Sequence, residues 1–488
     1  MDDPQNLNNV LLVPGADADE AHTSSAGGET VDYDLIVVGA GSGNALFRPA
    51  MANWKIAVVE RWAFGGTCLN RGCIPTKMFV HAADLADAPR TSARVGVELS
   101  RRAVHWSGIR DRVFGRIDPI AASGREYRDS LPGVDVFTNS AEFVDVKTLA
   151  VGTTLIRGRQ IVLANGARPA PFTIEGLKPQ RLVTSDTVMR LPELPERVAI
   201  VGGGFIAAEM AHVLGGLGSQ VTLVHRGPYL LAAEDEEVSR AFTASARQRF
   251  DVVLNATVLG AAETGRGAAL RIATDDGEIV REVDVVLAAV GRVPNGDQLN
   301  AVATGLQLDK RGAVVVDAFG RTNVEGVWAL GDVNGRHQLK HMANGEARVL
   351  AHNLLQPDDP MPFDSRPAPH AVFASPQVGA VGLTERAARA EGIEVAVITH
   401  PYSDAAYGWA LEDDEGFVKL IGDPRTRQIL GAHVYGHLAA TLVQQLVGFM
   451  HLGLTADQAA TGQIWIHPGP PEIVEQALLK LIDAFDGT

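Results

Sequence analysis

Residues 34–44, DLIVVGAGSGN, and residues 55–60, KIAVVE, decide how this chain of 488 residues folds. DLIVVG is a continuous apolar run that ends in glycine, the pattern of a parallel strand buried on both faces. A glycine loop and a helix-like segment follow, and KIAVVE is a second buried strand. Together they make one βαβ unit. Backbone amides in such a loop hold a pyrophosphate, and glycines let it approach closely. Gly39, Gly41, Ser42 and Gly43 form the loop, with Asn44 in place of the usual third glycine. Glu60 ends the second strand, where a carboxylate accepts hydrogen bonds from ribose hydroxyls.

The same grammar returns at 197–226. RVAIVGGG reads as strand and loop, FIAAEMAHVLGGLG as a helix, and QVTLVHR as a second strand. Gly202, Gly204 and Ala207 give this loop a GxGxxA pattern, and Phe205 opens the helix. Its second strand ends in His225 and Arg226 rather than an acid. Arg226 suits a 2′-phosphate, which favours NADP over NAD. LANGARP (163–169, with Gly166) reads as a strand leading to a crossing between domains. Further apolar strands are expected at 283–291, ending at Gly291, and at 324–332, ending at Asp332. The proline-rich stretch 360–369 marks a boundary. Beyond it, strands at 417–421 and 429–435 and helices at 438–450 and 472–484 suggest an α+β domain.

The expected organisation is therefore a disordered leader (1–30), a first dinucleotide domain in two parts (31–168 and 295–362), a second between them (169–294), and a C-terminal domain (363–488). The leader holds six acids and no Lys or Arg. It is too polar to order itself. The fold class is α/β, with two Rossmann-like domains followed by an α+β domain. A net charge of −15, from 43 basic and 58 acidic residues, argues against nucleic acid as a partner. No apolar run is long enough for a membrane span, and no signal peptide is read.

Only two cysteines occur, Cys68 and Cys73, both within GGTCLNRGCIPTK (65–77). That excludes a disulfide scaffold and a four-cysteine metal site, and no metal is expected. A dithiol five residues apart and close to a dinucleotide loop reads as a redox centre. If it opens a helix, the helix dipole favours the thiolate. One cysteine then attacks a disulfide and the other resolves the mixed disulfide. Near the C-terminus, His467 and Glu472 (HPGPPE) form an acid–base candidate, the carboxylate orienting the ring.

GGTCLNRGCIPTK, the two nucleotide loops, ALGD (329–332) and HPGPPE together resemble the FAD-dependent pyridine nucleotide-disulfide oxidoreductases, over about residues 32–485. The loop GAGSGN, CIPTKMFVHAADLA (73–86) and RVFGRIDPIAASGREYR (112–128) are most similar to the branch that reduces mycothione. The resemblance implies a cytoplasmic homodimer that uses FAD and NADPH to reduce a small-molecule disulfide. It implies that FAD sits on Gly39, Gly41, Ser42 and Glu60, with Gly66 and Thr67 nearby and Asp332 on its ribityl–phosphate portion. Cys68 would meet substrate and Cys73 would face the flavin. Lys77 would approach the flavin and pair with Glu209, and Phe205 would gate the nicotinamide pocket. His467, held by Glu472, would serve the other subunit.

Departures from the pattern carry information too. Arg71 replaces a small apolar residue between the cysteines, where it would shift their potential. Leu231 and Ala232 stand where NADPH-using relatives often carry a second Arg. Pro49 occupies the position of a glutathione-binding Arg, which argues against glutathione. The enzymatic alternative is the dihydrolipoamide dehydrogenase branch, disfavoured by the missing acid at His225. The non-enzymatic one is a flavin-binding homologue without activity.

Overall fold

The computed structural model describes residues 30–487, so all but the last residue of the expected leader lies outside the described residues. The first unit is a seven-stranded sheet. Val134–Phe137, Ile56–Val59, Val31–Val38 and Thr154–Leu163 run parallel in that order, and Val327–Ala329 pairs with the last of them. A hairpin, Ala141–Asp145 with Thr148–Val151, extends the sheet antiparallel. Val31–Val38 and Ile56–Val59 are the strands read from DLIVVG and KIAVVE. Ile56–Val59 is buried throughout, as a central strand covered on both faces must be.

The second unit is an all-parallel sheet ordered Asp251–Val253, Gln220–Val224, Arg197–Val201, Val285–Ala288, Leu182–Thr184. Ala167–Pro169 pairs antiparallel with Arg292–Pro294, so the chain enters and leaves the second unit through one two-stranded ribbon. After this ribbon the chain returns to the first sheet. The C-terminal unit is a five-stranded antiparallel sheet (370–372, 377–382, 428–436, 417–423, 396–401). Helices Ala439–His451 and Pro470–Asp486 pack on it through Leu442, Leu446, Val474, Leu478 and Leu481.

Each dinucleotide loop opens on a glycine that nothing else can replace. Gly39 has φ +106°, and a Cβ there would lie 2.3 Å from the Ala164 carbonyl oxygen. Gly202 has φ +135°, and its Cβ would lie 2.2 Å from the Ala289 carbonyl oxygen. In both units the loop turns tightly across the next parallel strand, a left-handed turn open only to glycine.

Three local expectations need correction. The segment after the first loop is not a continuous helix. It consists of two short 3-10 turns, Ser42–Leu46 and Pro49–Met51. Pro49 forces Arg48 into an extended conformation (φ −131°, ψ 151°) and breaks the run. The expected strand 283–291 is two elements. Val283 ends a strand, Gly277–Val283, of a separate three-stranded antiparallel sheet, and Val285–Ala288 belongs to the parallel sheet. Asp284 divides them because its carboxylate turns to take the Arg197 amide (2.8 Å) and guanidinium (2.7 Å). The strand expected across 324–332 is only Val327–Ala329.

The helix that begins at Cys73 runs to Asp87 and packs on the second-unit helix Phe205–Leu217, with Phe79, Val80 and Ala83 set against Ala208 and Ala211. A second contact ties the C-terminal unit to the second. Lys419, buried with 3% of its side chain exposed, reaches Asp235 at 2.9 Å, Glu385 at 2.8 Å and Glu237 at 3.3 Å. Burial alone would raise the Asp235 carboxyl. Hydrogen bonds from Lys419 and the Glu385 amide overcome that and hold it below its ordinary value.

Lys419→Met would strand the buried Asp235 without a counter-ion. We expect a loss of about 3–5 kcal/mol, seen as a lower urea midpoint at pH 7. A depressed folded-state pKa stabilises above the unfolded value, about 3.9 for Asp, and that stabilisation is lost as pH falls through the folded value. The gap between wild type and variant should therefore narrow in acid, and a gap constant with pH would contradict this account.

Candidate active site

A cavity of about 900 Å³ runs between the first and second units. Gly39, Gly41, Ser42, Glu60, Gly66, Thr67, Cys68, Cys73, Lys77, Gly166, Phe205, Glu209 and Asp332 all line it. They come from sequence positions nearly 300 residues apart, which the ribbon and the return of the chain to the first sheet bring together. The other expected residues lie elsewhere. Gly43 is buried under the loop, where a Cβ would meet Val37 at 2.7 Å. Gly202, Gly204, Ala207, Arg226 and Gly291 are outside this cavity, the first four in the second βαβ unit. Arg226 is exposed at the end of its strand, and His225 packs against the neighbouring loop at Gly203.

The cysteines are both free thiols. Cys68 sits in the short helix Gly66–Asn70, which Asn70 pins by donating to the Phe64 and Gly66 carbonyls at 2.9 Å. Cys73 is the first residue of the Cys73–Asp87 helix. At that end the helix dipole favours negative charge. A hydrogen bond from the Cys68 thiol and the Lys77 ammonium outweigh burial and bring the Cys73 thiol down to about 7. The Cys68 thiol is pushed up, first because it donates to Cys73 and then by burial. Negative charge on the pair is therefore favoured on Cys73 rather than Cys68.

Lys77 lies one helical turn past Cys73 on the same face. Its Nζ is 2.6 Å from Glu209 Oε1, and it stacks 4.6 Å from the centre of the Phe373 ring. Glu209 is buried and also accepts the Phe373 amide at 2.9 Å. Phe205 opens that helix and is 47% exposed into the cavity.

At the other end of the cavity Glu60 accepts the amides of Ala40 (2.8 Å) and Trp62 (2.9 Å). Asn44, in the third-glycine position, donates to the Ala40 carbonyl at 2.6 Å and is held by Arg128. It fixes the loop instead of opening it. Burial raises the Asp332 carboxyl. The cavity's size fits a large cofactor, since ligand pockets run about 300–1,000 Å³. Its donor set also fits a dinucleotide, with a glycine cradle, an acid at one end and a dithiol at the other.

Two findings qualify the expectations. Arg71 does not direct its charge at the thiols. It pairs with Asp186 at 3.1 Å and stacks on Trp62 at 3.7 Å. His467 is not in the cavity of its own chain. Its Nδ1 lies 3.0 Å from Glu472 Oε2, but its side chain is 68% exposed, and Glu472 Oε2 has no aligned hydrogen-bond donor. Lys340 escaped the sequence reading altogether. It opens the helix Lys340–Leu355, lines the cavity and donates to Ser42 Oγ at 3.0 Å. Its only sequence signal was its place eight residues after Asp332.

Residues 33–347 match the pyridine nucleotide-disulphide oxidoreductases, and residues 368–478 match the dimerisation domain of the same group. The chain belongs to the pyridine nucleotide-disulphide oxidoreductases. It is 45% identical to mycothione reductase from Mycobacterium tuberculosis, over 92% of this chain and 99% of that protein. It is 30% identical to dihydrolipoyl dehydrogenase from Chlamydia trachomatis, over 92% and 97% respectively. Its fold is similar to that of the HOCl-induced flavoprotein disulfide reductase RclA from Escherichia coli, with a TM-score of 0.80 and 27% identity over 92% of this chain and 99% of that one. This family member is a flavoprotein oxidoreductase acting on a thiol disulfide, with FAD and NADPH as its cofactors. The dimerisation domain supports a homodimer, and among the described residues no helix is long and apolar enough to cross a membrane.

In the reduced protein, alkylation of Cys73 by iodoacetamide should follow a thiolate titrating near 7. Lys77→Met should shift that profile to higher pH, because the ammonium favours the charged form. Cys68→Ser should also change it, since a hydroxyl replaces the thiol donor. A single thiol reacting with an ordinary profile near 8.5 would contradict the assignment of the charge to Cys73.

Proposed function

We propose that the protein is an NADPH-dependent reductase of mycothione, a low-molecular-weight disulfide, working in the cytoplasm. The observation that carries the redox chemistry is the placement of Cys73 at a helix start, beside Lys77–Glu209 and within reach of the Cys68 thiol. The substrate class is favoured by similarity to a mycothione reductase along nearly the whole chain. It is also favoured by the fate of Arg48, whose guanidinium is spent on the Ala45 and Phe47 carbonyls and does not line the cavity. A chain whose two cysteines both sit in one redox pair suits a reducing compartment. In this reading residues 31–168 and 295–362 form the FAD domain, 169–294 the NADPH domain and 363–488 the interface domain.

Bound FAD supplies the route by which the electron pair of a hydride from NADPH reaches the Cys68–Cys73 disulfide. Gly39, Gly41, Ser42, Gly43, Gly66, Thr67, Gly166, Glu60 and Asp332 would hold it. Gly202, Gly204, Phe205, Ala207, Arg226 and Gly291 would serve the nicotinamide nucleotide, with Arg226 toward its 2′-phosphate. Two electrons and one proton convert the disulfide to the Cys68 thiol and the Cys73 thiolate. Cys68 then passes its proton to His467 and attacks one sulfur of the substrate disulfide. A mixed disulfide forms, and the first thiolate leaves, protonated by His467. Cys73 attacks Cys68, restores the protein disulfide and releases the second thiolate. Glu472 orients His467 for these transfers.

The deciding measurement is steady-state turnover with NADPH and NADH, each against mycothione, glutathione disulfide and lipoamide. Mycothione with NADPH should give the highest kcat/KM. Preference for lipoamide with NADH would reject the reading in favour of the dehydrogenase branch.

The exposure of His467 away from its own cavity fits a site completed by a second copy. Co-expression of Cys68→Ser and His467→Ala chains tests this. Each homodimer should be inactive, whereas random mixing should return roughly a quarter of wild-type activity, from one sound site in half of the dimers. Activity no higher than that of the two parents would mean His467 serves its own chain.

A further inference from the structure

The carboxylate that faces His467 is held from behind. Glu472 lies in the first turn of the helix Pro470–Asp486, which opens on Pro470 and Pro471. Proline has no N–H, so those two positions offer the carboxylate no amide. A side chain one turn further on engages it instead. Gln476 Nε2 donates to Glu472 Oε1 at 3.2 Å, and Gln476 Oε1 lies 2.9 Å from His400 Nε2. Glu472 and Gln476 stand four residues apart on one helix face. His400 is buried, 2% exposed, on the strand Ala396–Pro401 against which this helix packs. An ionised carboxylate only accepts, so the Gln476 amide nitrogen faces Glu472 and its oxygen faces His400. His400 Nε2 is then the donor. Its Nδ1 is buried without a hydrogen-bond partner, which suits the bare nitrogen of a neutral ring. Burial and the Lys480 ammonium keep this ring below its ordinary pKa, against Gln476 and Asp404. Lys480 and Asp404 lie 3.2 Å from each other.

We propose that Gln476 and His400 are positioning residues for the His467–Glu472 pair. His400 fixes the Gln476 amide, Gln476 fixes the Glu472 carboxylate, and Glu472 Oε2 then selects the His467 ring with its proton on Nδ1. Oε2 is buried, takes no aligned hydrogen bond and lies 3.0 Å from His467 Nδ1, so it is the oxygen left to the ring. The His467 side chain is 68% exposed, and packing does little to orient it. With the proton on Nδ1, Nε2 is bare and can take the Cys68 proton and return it to the leaving thiolate. A carboxylate free to rotate would leave both tautomers populated, and only one of them accepts at Nε2. The hydrogen-bonded chain from His400 through Gln476 to Glu472 removes that freedom.

This inference rests on His467 being the acid–base of the proposed reaction. The test isolates the oxidative half of the cycle. FAD-loaded protein reduced with one equivalent of NADPH is mixed with whichever of mycothione, glutathione disulfide and lipoamide turns over best, and thiol release is timed in a single turnover. Gln476→Met keeps the side-chain length and removes both hydrogen bonds. It should slow this step about tenfold, part of the roughly 10²–10⁴-fold that general acid–base catalysis supplies. The loss should fall on this step and not on reduction by NADPH, which does not use His467. His400→Leu should resemble Gln476→Met, and His400→Gln, which keeps a donor, should recover most of the rate. In a His467→Ala background, Gln476→Met should cost nothing further. A residue that only supports the fold or the dimer would lower the rate there as well. A wild-type rate in Gln476→Met, or an equal loss in both backgrounds, would overturn the proposal. If His467→Ala itself left the step unchanged, the acid–base reading would fail, a different result from a failure of Gln476 and His400 alone.

Discussion

One buried carboxylate holds the active site together. Glu209 sits in a helix whose other buried residues, His212 apart, are Ala, Met, Val, Leu and Gly, where an ion without partners would be expelled. It is kept there by Lys77 from the redox helix and by the Phe373 amide from the C-terminal unit. Three parts of the chain therefore meet at one group. Lys77 is thereby fixed one turn beyond Cys73, where its charge favours the thiolate. This pair ties the first turn of the Cys73–Asp87 helix to the second unit, beside the Arg71–Asp186 pair two residues before Cys73.

Similar logic joins the units elsewhere. Arg71 comes from the loop between the cysteines, Arg292 from the crossing ribbon, and both meet Asp186 of the second unit. Lys419 of the C-terminal sheet meets Asp235 at the start of the Glu236–Arg247 helix. Such contacts gain little over well-packed apolar groups, but breaking one side is costly. They specify how the units are docked. For Arg71 this alters the meaning of an unusual residue. Its position between the thiols suggests control of their potential, whereas its partners make it a brace between the redox loop and the second unit. The ammonium that favours the Cys73 thiolate is that of Lys77.

The two βαβ units, the redox pair and the late His–Glu motif were legible in the chain because each is local. A buried parallel strand needs an unbroken apolar run, a tight loop needs glycine, and two cysteines five residues apart announce themselves. The break at Pro49 was also written in the sequence, since proline cannot continue a helix of that kind, yet the βαβ pattern suggested a helix there. The split at Asp284 was hidden because a strand interrupted by one acid reads like a single strand until the partner, Arg197, is known. Lys340 was hidden for a related reason. A lysine in HQLKHM is indistinguishable from a surface lysine until the chain returns to the first sheet and carries it beside Ser42.

The sequence by itself determined which groups are present: two glycine loops between strand and helix, two cysteines five residues apart, a late His–Glu motif and no third cysteine. Periodicity and short-range spacing are enough for that. Tertiary structure decided which charges act on which atoms. It paired Lys77 with Glu209, turned Arg71 toward Asp186, set Lys340 against Ser42 and left His467 outside its own cavity. None of these follows from spacing, because Coulomb interactions depend on distance and burial in space, and residues hundreds of positions apart are brought within a few ångströms only by the docking of the units.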